Sequence, residues 1–412
     1  MLQLPEIMAP VGNFETLAAA MQANADSVYF GVEHLNMRAK SANNFKLEDL
    51  KEIRKITREH NAKAYLALNT VIYDHEIRLM NLILDRAKEA EIDAIIASDL
   101  AVITAARDKG LTVHASTQLN ISNIEAVKFF SQFCDTMVLA RELSLTQTKK
   151  IVEAIDRENI TGPNGEKVKI EIFVHGALCM AISGKCYMSL HEFNSSANRG
   201  ACMQTCRRPY IVTDKETGYE LEIDNEYIMS PKDLATIEFV DKIMDAGVSI
   251  FKIEGRARPP EYVKTVTEVY KEATKSVIEG NYTPENIKQW KERLATVFNR
   301  GFWDGYYLGR RLGEWTNTHG SKATKKKIFA GKITNYFSKI GVAEVKLTSE
   351  GLSAGDNYLI TGNKTGVVEG KIEEIRLDDK KVEKADKGSV ISFKVPEKVR
   401  RGDKLYKIVE IK

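Results

Sequence analysis

The chain has 412 residues, 43% of them hydrophobic and 28% charged, the make-up of an ordinary globular protein with length for two or three domains. No apolar stretch approaches the roughly 18 residues of a membrane span, and the N-terminal MLQLPEIMAP lacks the basic region and apolar run of a signal peptide, so a cytoplasmic location is expected. Net charge is only +3, yet residues 325–412 hold 20 Lys plus Arg against 13 Asp plus Glu, a net +7 that leaves −4 for the rest. That asymmetry points to an acidic partner such as nucleic acid.

Eight short apolar runs recur with helical segments between them: Glu6–Pro10, Ser27–Gly31, Ala62–Leu68, Ala94–Ser98, Thr112–Ser116, Thr136–Ala140, Lys169–His175 and Ser249–Ile253. The intervening segments have helical period, as in Leu47, Leu50, Ile53 and Ile56, or Ile77, Met80, Ile83, Leu84 and Ala87. The pattern predicts an α/β protein with a (β/α)8 TIM-type barrel over residues 1–312. A doubly wound open sheet is the alternative. In such a barrel the chemistry sits in the loops after the strands, where this sequence places Asn13, Glu33, Arg38, Asn69, Thr70, Ser98, Asp99, Ser116, Gln118, Asn120, Arg141, Glu142, His175, Glu254 and Arg256.

After the seventh run comes an insertion, residues 176–226, too long for a simple connection, and then a predicted helix from Lys232 to Ala246. The insertion contains Cys179, Cys186, Cys202 and Cys206 in the spacing C-x6-C-x15-C-x3-C, while the fifth cysteine, Cys134, stands alone. Clustered thiols in a reducing compartment point to metal or redox chemistry rather than disulfides. Four thiolates serve both iron–sulfur clusters and structural zinc. Only the second pair has the zinc-knuckle spacing, and buried free thiols remain a third reading. Gly176, Gly184 and Gly200 leave room for a bulky group, and Arg207 and Arg208 could offset its negative charge.

Beyond Gly301 the text turns aromatic and Gly-rich (GFWDGYYLGRRLGEW), then becomes a basic linker, 313–327, ending in Lys325, Lys326 and Lys327. From Ile328 to the end, alternating runs such as VAEVKL, NYLITGN and SVISFKV predict a small β-barrel, with Gly355-Asp356 and Gly402-Asp403 turns ahead of similar strands. The layout resembles the β-barrel domain of translation factors, and it could bind RNA or support the catalytic barrel. Arg400 and Arg401, with the three lysines, are candidate phosphate contacts.

The run EIFVHGALCMAISGKCYMS, Glu171 to Ser189, is similar to the signature of the collagenase-like peptidase family, and RGACMQTCRRPY, SPKDL and FKIEGRARPPEY resemble its companion motifs. The resemblance extends through APVGN, VYFG, NMRAKSANNF and VLARELS into the C-terminal domain. It implies a [4Fe–4S] cluster on the four clustered cysteines and oxygen-independent hydroxylation of the tRNA wobble uridine to 5-hydroxyuridine, with prephenate as co-substrate. Family members also act on ribosomal RNA, where a cytidine is the target, or on ubiquinone precursors. Prephenate has two carboxylates, which makes Arg38, Arg141 and Arg256 its expected grips. His175 is the candidate for proton transfer, whereas His114, inside a strand, reads as a core histidine. Gln118, Asn120 and Glu142 could hydrogen-bond base edges or a substrate hydroxyl, Gln118 and Glu142 counting as catalytic candidates. Two other readings stand beside this one. The first is a peptidase, although the chain has no HExxH zinc helix. The second is an RNA-binding factor with a purely structural cluster.

Overall fold

A computed structural model describes residues 2–40, 43–211, 213–218, 229–309, 313–317 and 320–411. Its first ten strands are β1 (Glu6–Pro10), β2 (Ser27–Phe30), β3 (Lys63–Leu68), β4 (Ala94–Ala97), β5 (Val113–Ala115), β6 (Thr136–Val138), β7 (Lys169–Ala177), β8 (Asp233–Ala235), β9 (Ile250–Ile253) and β10 (Phe302–Trp303). Parallel pairing runs from β1 to β7 in order and passes to β9, which pairs with β1 and closes the barrel. All eight predicted runs are barrel strands, and closure excludes the open sheet.

Helices α1 (Phe14–Gln22), α2 (Leu50–Glu59), α3 (Ile77–Glu89), α4 (Leu100–Asp108), α5 (Ile124–Phe130) and α6 (Leu145–Glu158) follow β1 to β6 in turn. Each lays an apolar stripe on the barrel, as α3 does with Met80, Ile83, Leu84 and Ala87. Several polar residues after the strands serve as helix caps. The Asn13 side chain accepts from Thr16 N at 2.9 Å, that of Asp99 from Ala101 N at 2.9 Å, and Ser144 with Gln147 forms a capping box. Beyond these come α7 (Met188–Phe193), α8 (Val240–Asp245), α9 (Pro260–Glu279) and α10 (Pro284–Thr296).

The helix predicted from Lys232 to Ala246 is only half present. Its first residues form β8, antiparallel to the end of β7 with Gly176 opposite Leu234, and only Val240–Asp245 is helical. Asp233 explains the change, because it is buried between Arg258 at 3.3 Å and Arg300 at 3.4 Å, a position that an amphipathic helix cannot supply. The expected end of the insertion, at 226, and the expected barrel limit, at 312, lie outside the described residues.

The C-terminal part comprises β11 (Lys325–Phe337), β12 (Val342–Leu347), β13 (Leu352–Ser353), β14 (Asn357–Gly362), β15 (Gly366–Lys371), β16 (Ile375–Leu377), β17 (Lys380–Val382), β18 (Lys384–Ala385), β19 (Val390–Lys394) and β20 (Lys404–Glu410). Eight of these form an antiparallel sheet in the order β15-β14-β20-β11-β12-β19-β16-β17, around an apolar core that includes Ile333, Val345, Tyr358, Ile360 and Phe393. The strands after the two Gly-Asp turns, β14 and β20, lie side by side. The aspartates act alike: Asp356 accepts from Ser353 N at 2.8 Å and Asp403 from Arg400 N at 2.7 Å.

Lys325 to Lys327 do not lie in a linker. They open β11 and pair with Ile408 to Glu410, and Lys327 forms a 2.7 Å ion pair with Glu261 of the barrel. The sheet docks on α1. There the Gln22 amide donates to Thr365 O at 2.9 Å and accepts from Val367 N at 2.8 Å, Lys404 pairs with Glu15, and Ala19 packs with Leu359 and Val367. Among the described residues no helix is long and apolar enough to cross a membrane.

Candidate active site

The C-terminal ends of the barrel strands open on a cavity of about 680 Å³, roofed by the cysteine insertion. Several anchors hold the roof across the barrel mouth. Arg199 makes two bonds to the Glu76 carboxylate, 3.0 and 2.7 Å, and lies 3.8 Å from the Tyr73 ring centre. Lys40 N donates to Gly200 O at 3.1 Å and Val71 N to Asn198 O at 3.2 Å. Gly200 has φ +79°, and any side chain there would strike the Asn36 carbonyl, so the close approach depends on glycine. Arg207 donates to Ser230 Oγ at 3.1 Å, Pro231 O at 2.8 Å and Leu178 O, tying both ends of the insertion together.

Cys179, Cys186, Cys202 and Cys206 all line this cavity. Burial, opposed by Arg207 and reinforced by the other three cysteines, pushes the Cys206 thiol up, so those three sulfurs lie within electrostatic reach of Cys206. Among the described residues no three or more His, Cys, Asp or Glu side chains are drawn close enough to hold a metal ion. The donor set, four thiols on the walls of one cavity, fits a thiolate-bound metal group in its chemistry. Cys134 lies elsewhere, and burial pushes its thiol up to about 12.

The floor carries the charge. Arg38, Arg141 and Arg256, taken from three separate strand ends, line the cavity together with Glu254 and Tyr29, whose hydroxyl donates to Ile253 O at 3.0 Å. Arg38 makes a 3.0 Å ion pair with Glu254. Burial alone would raise the Glu254 pKa, but Arg38, Arg258 and Arg141 outweigh it and hold the carboxyl below its ordinary value. Arg256 donates to Asn36 Oδ1 at 3.0 Å, and burial pushes its guanidinium down to about 10, so it stays charged at neutral pH. Arg141 stacks on Phe173 at 3.8 Å and donates to Ala177 O at 3.0 Å, while its buried Nε has no hydrogen-bond partner among the described residues. A floor with this many cations is built for an anion.

Of the remaining sequence candidates, Gln118 lines the cavity. Its Oε1 accepts from Asn69 Nδ2 at 3.1 Å and from the Ser116 hydroxyl. Asn120 is behind it, in a left-handed conformation (φ 53°), donating to Gln118 O at 2.9 Å and shaping the loop rather than lining the cavity. Glu142 is exposed, away from the cavity lining. His175 is buried among Tyr262, Tyr270 and Phe302, also off the cavity. Burial, aided by Arg258, pushes its pKa down to about 3, so it is neutral and unsuited to proton transfer at neutral pH.

Lys252, Glu171, Arg258 and Arg300 escaped the sequence reading. Lys252 and Glu171 form a 2.6 Å ion pair inside the barrel, with Lys252 reaching the cavity floor 4.5 Å from the Tyr29 ring centre. Burial pulls the Lys252 pKa down, with Glu171 opposing. Burial likewise works to raise Glu171, but Lys252 and His114 win and hold it low. His114 is a core residue, its Nδ1 3.7 Å from Glu171. A charged residue at an inward position of an otherwise apolar strand, as in EIFVHG and IFKIEG, was the available signal.

Fold and cavity together define a TIM-barrel protein with a cation-floored, thiol-lined site at the usual catalytic end. Residues 12–317 match Peptidase family U32, and the chain belongs to that family. It is 61% identical over 402 residues to a collagenase of Porphyromonas gingivalis, covering 98% of this chain and 97% of that one. It is 34% identical over 348 residues to tRNA hydroxylation protein P1 of Bacillus subtilis, covering 81% and 78%. It is also 34% identical over 319 residues to the 23S rRNA 5-hydroxycytidine C2501 synthase of Escherichia coli, covering 75% of this chain and 46% of that one.

Proposed function

We propose that this protein is an RNA-modifying hydroxylase that converts the wobble uridine of tRNA to 5-hydroxyuridine without molecular oxygen, with prephenate as oxygen donor and a [4Fe–4S] cluster on Cys179, Cys186, Cys202 and Cys206. The observation that carries the reading is the meeting of Arg38, Arg141 and Arg256 around Tyr29 in the cavity that the four cysteines line. The relatives named for tRNA and rRNA hydroxylation support the RNA class.

On this reading a dicarboxylate lies on the arginine floor. Arg141 lines the cavity with its guanidinium held flat on Phe173, while the Glu254 ion pair orients Arg38. The amide of Gln118, fixed through its oxygen by Asn69 and Ser116, offers its N–H groups to a pyrimidine edge from the side wall. When bound, the cluster supplies single-electron chemistry beside the substrate. Roof and floor hold the reactants in register and keep out bulk water.

The test is to incubate anaerobically purified protein with prephenate and, in separate reactions, tRNA or ribosomal RNA from cells that lack the gene, then digest to nucleosides for mass spectrometry. New 5-hydroxyuridine is the expected result. Hydroxycytidine formed only in ribosomal RNA would move the substrate to that of the Escherichia coli relative. The name of the Porphyromonas gingivalis relative favours a peptidase as a second reading, so gelatin is assayed in parallel. Gelatin cleavage without any modified nucleoside would replace the proposal.

A further inference from the structure

Exposed apolar side chains are concentrated in the roof. Between positions 180 and 211, Ile182, Tyr187, Phe193, Met203 and Ile211 all face outward, Tyr187 at 69% and Ile211 at 81% exposure. Exposed apolar side chains grouped in this way mark an interaction site. It is also anchored, since Arg199, Gly200 and Arg207 fasten the roof to the barrel.

Its composition distinguishes among occupants. The Tyr187 ring stacks on His191 with 6.0 Å between centres and 29° between planes, and the Arg208 guanidinium lies 4.9 Å from the Phe193 ring centre. Arg208 is itself paired with Glu192 at 2.8 Å, and Lys185 is the cation beside the Tyr187 face. Tyr187, His191 and Lys185 belong to the cavity lining, so the platform runs unbroken into the charged interior. A peptide partner would call for a sheet edge or apolar sockets, whereas an unpaired nucleotide needs a π face for its base and a cation for its phosphate. Lys185 and continuity with the cation-floored cavity select the nucleotide.

Resting on the hydroxylase reading above, we infer that the Tyr187–His191 face is a stacking platform for an unpaired nucleotide of the RNA, receiving it at the mouth of the cavity. The ligand class is single-stranded RNA in a loop rather than duplex, because only a base out of its stack offers both faces.

The test uses full-length, anaerobically purified protein with a synthetic RNA stem–loop whose loop is unpaired and pyrimidine-rich, and a fully paired duplex as control. Tyr187→Ala is expected to weaken stem–loop binding by roughly ten-fold, within the range of base–aromatic stacking, and to leave duplex binding unchanged. Tyr187→Phe, which keeps the ring, restores wild-type affinity, and equal iron content in all three proteins shows that the roof is intact. Wild-type stem–loop affinity in Tyr187→Ala, with wild-type protein still modifying tRNA, would overturn this inference and leave the hydroxylase reading standing. No RNA binding by the wild-type protein would overturn both. Loss of gelatin binding in Tyr187→Ala, with RNA binding intact, would assign the face to a polypeptide instead.

Discussion

The Lys252 ammonium lies 2.6 Å from the Glu171 carboxylate inside the barrel, and both side chains are almost fully buried. Neither charge is stable there without the other. Lys252→Met is therefore expected to destabilise the fold by about 3 kcal/mol or more, while Lys252→Met combined with Glu171→Gln recovers most of the loss. Urea midpoints of the four proteins check this. Additive losses would show that the pair is not coupled.

The same pair sets a pH dependence. Lys252 and His114 hold the folded-state pKa of Glu171 below the ordinary value. The stabilisation is then complete above the unfolded-state value of about 4.3 and disappears as pH falls through the lower folded-state value. The stability gap between wild type and Glu171→Gln should be constant from pH 7 to about pH 5 and narrow below about pH 4. A gap that widens on acidification would contradict this assignment.

Gln22 joins the two parts of the molecule by two hydrogen bonds to the segment that opens β15. Gln22→Ala leaves the Thr365 carbonyl and the Val367 amide without this partner, at a cost of about 1–3 kcal/mol. Faster proteolysis between barrel and sheet is expected. Cleavage at the wild-type rate would mean that the Lys404–Glu15 and Lys327–Glu261 ion pairs and the Ala19 contact with Leu359 and Val367 hold the docking without Gln22.

Arg141 lines the cavity with its guanidinium stacked on Phe173. Lysine keeps the charge but loses the planar fork, so Arg141→Lys should weaken prephenate binding roughly ten-fold or more in calorimetry, with little change in melting temperature. Unchanged affinity would remove Arg141 from the anion site.

Barrel strands were legible in the sequence because each is a short apolar run bounded by turns, and the closed pairing needs all eight. Arg38, Arg141 and Arg256 were legible for a related reason: they follow strands, and barrel geometry sends strand ends to one face. Spacing could not separate a polar loop residue that lines the site from one that caps a helix. Asn13 and Asp99 are caps, and Asn120 shapes a turn. His175 misled because it follows the apolar core of a strand, yet β7 runs on to Ala177 and turns its ring into an aromatic cluster. Lys252 and Glu171 were hidden inside strands, where charge makes sense only once the partner across the barrel is known.

Cys202 lies on the cavity wall in the roof, outside the barrel core. If the four cysteines hold the proposed cluster, wild-type protein is brown and contains iron, and Cys202→Ala should fold, by circular dichroism, but lack both. Wild-type iron content in that variant would show that Cys202 is not a ligand.

The most direct measurement is nucleoside mass spectrometry of total tRNA from cells lacking this gene and any parallel enzyme, complemented with the wild-type gene or with Cys202→Ala. The account predicts that 5-hydroxyuridine derivatives vanish on deletion, return with the wild-type gene and stay absent with Cys202→Ala. Unchanged levels after deletion would contradict it.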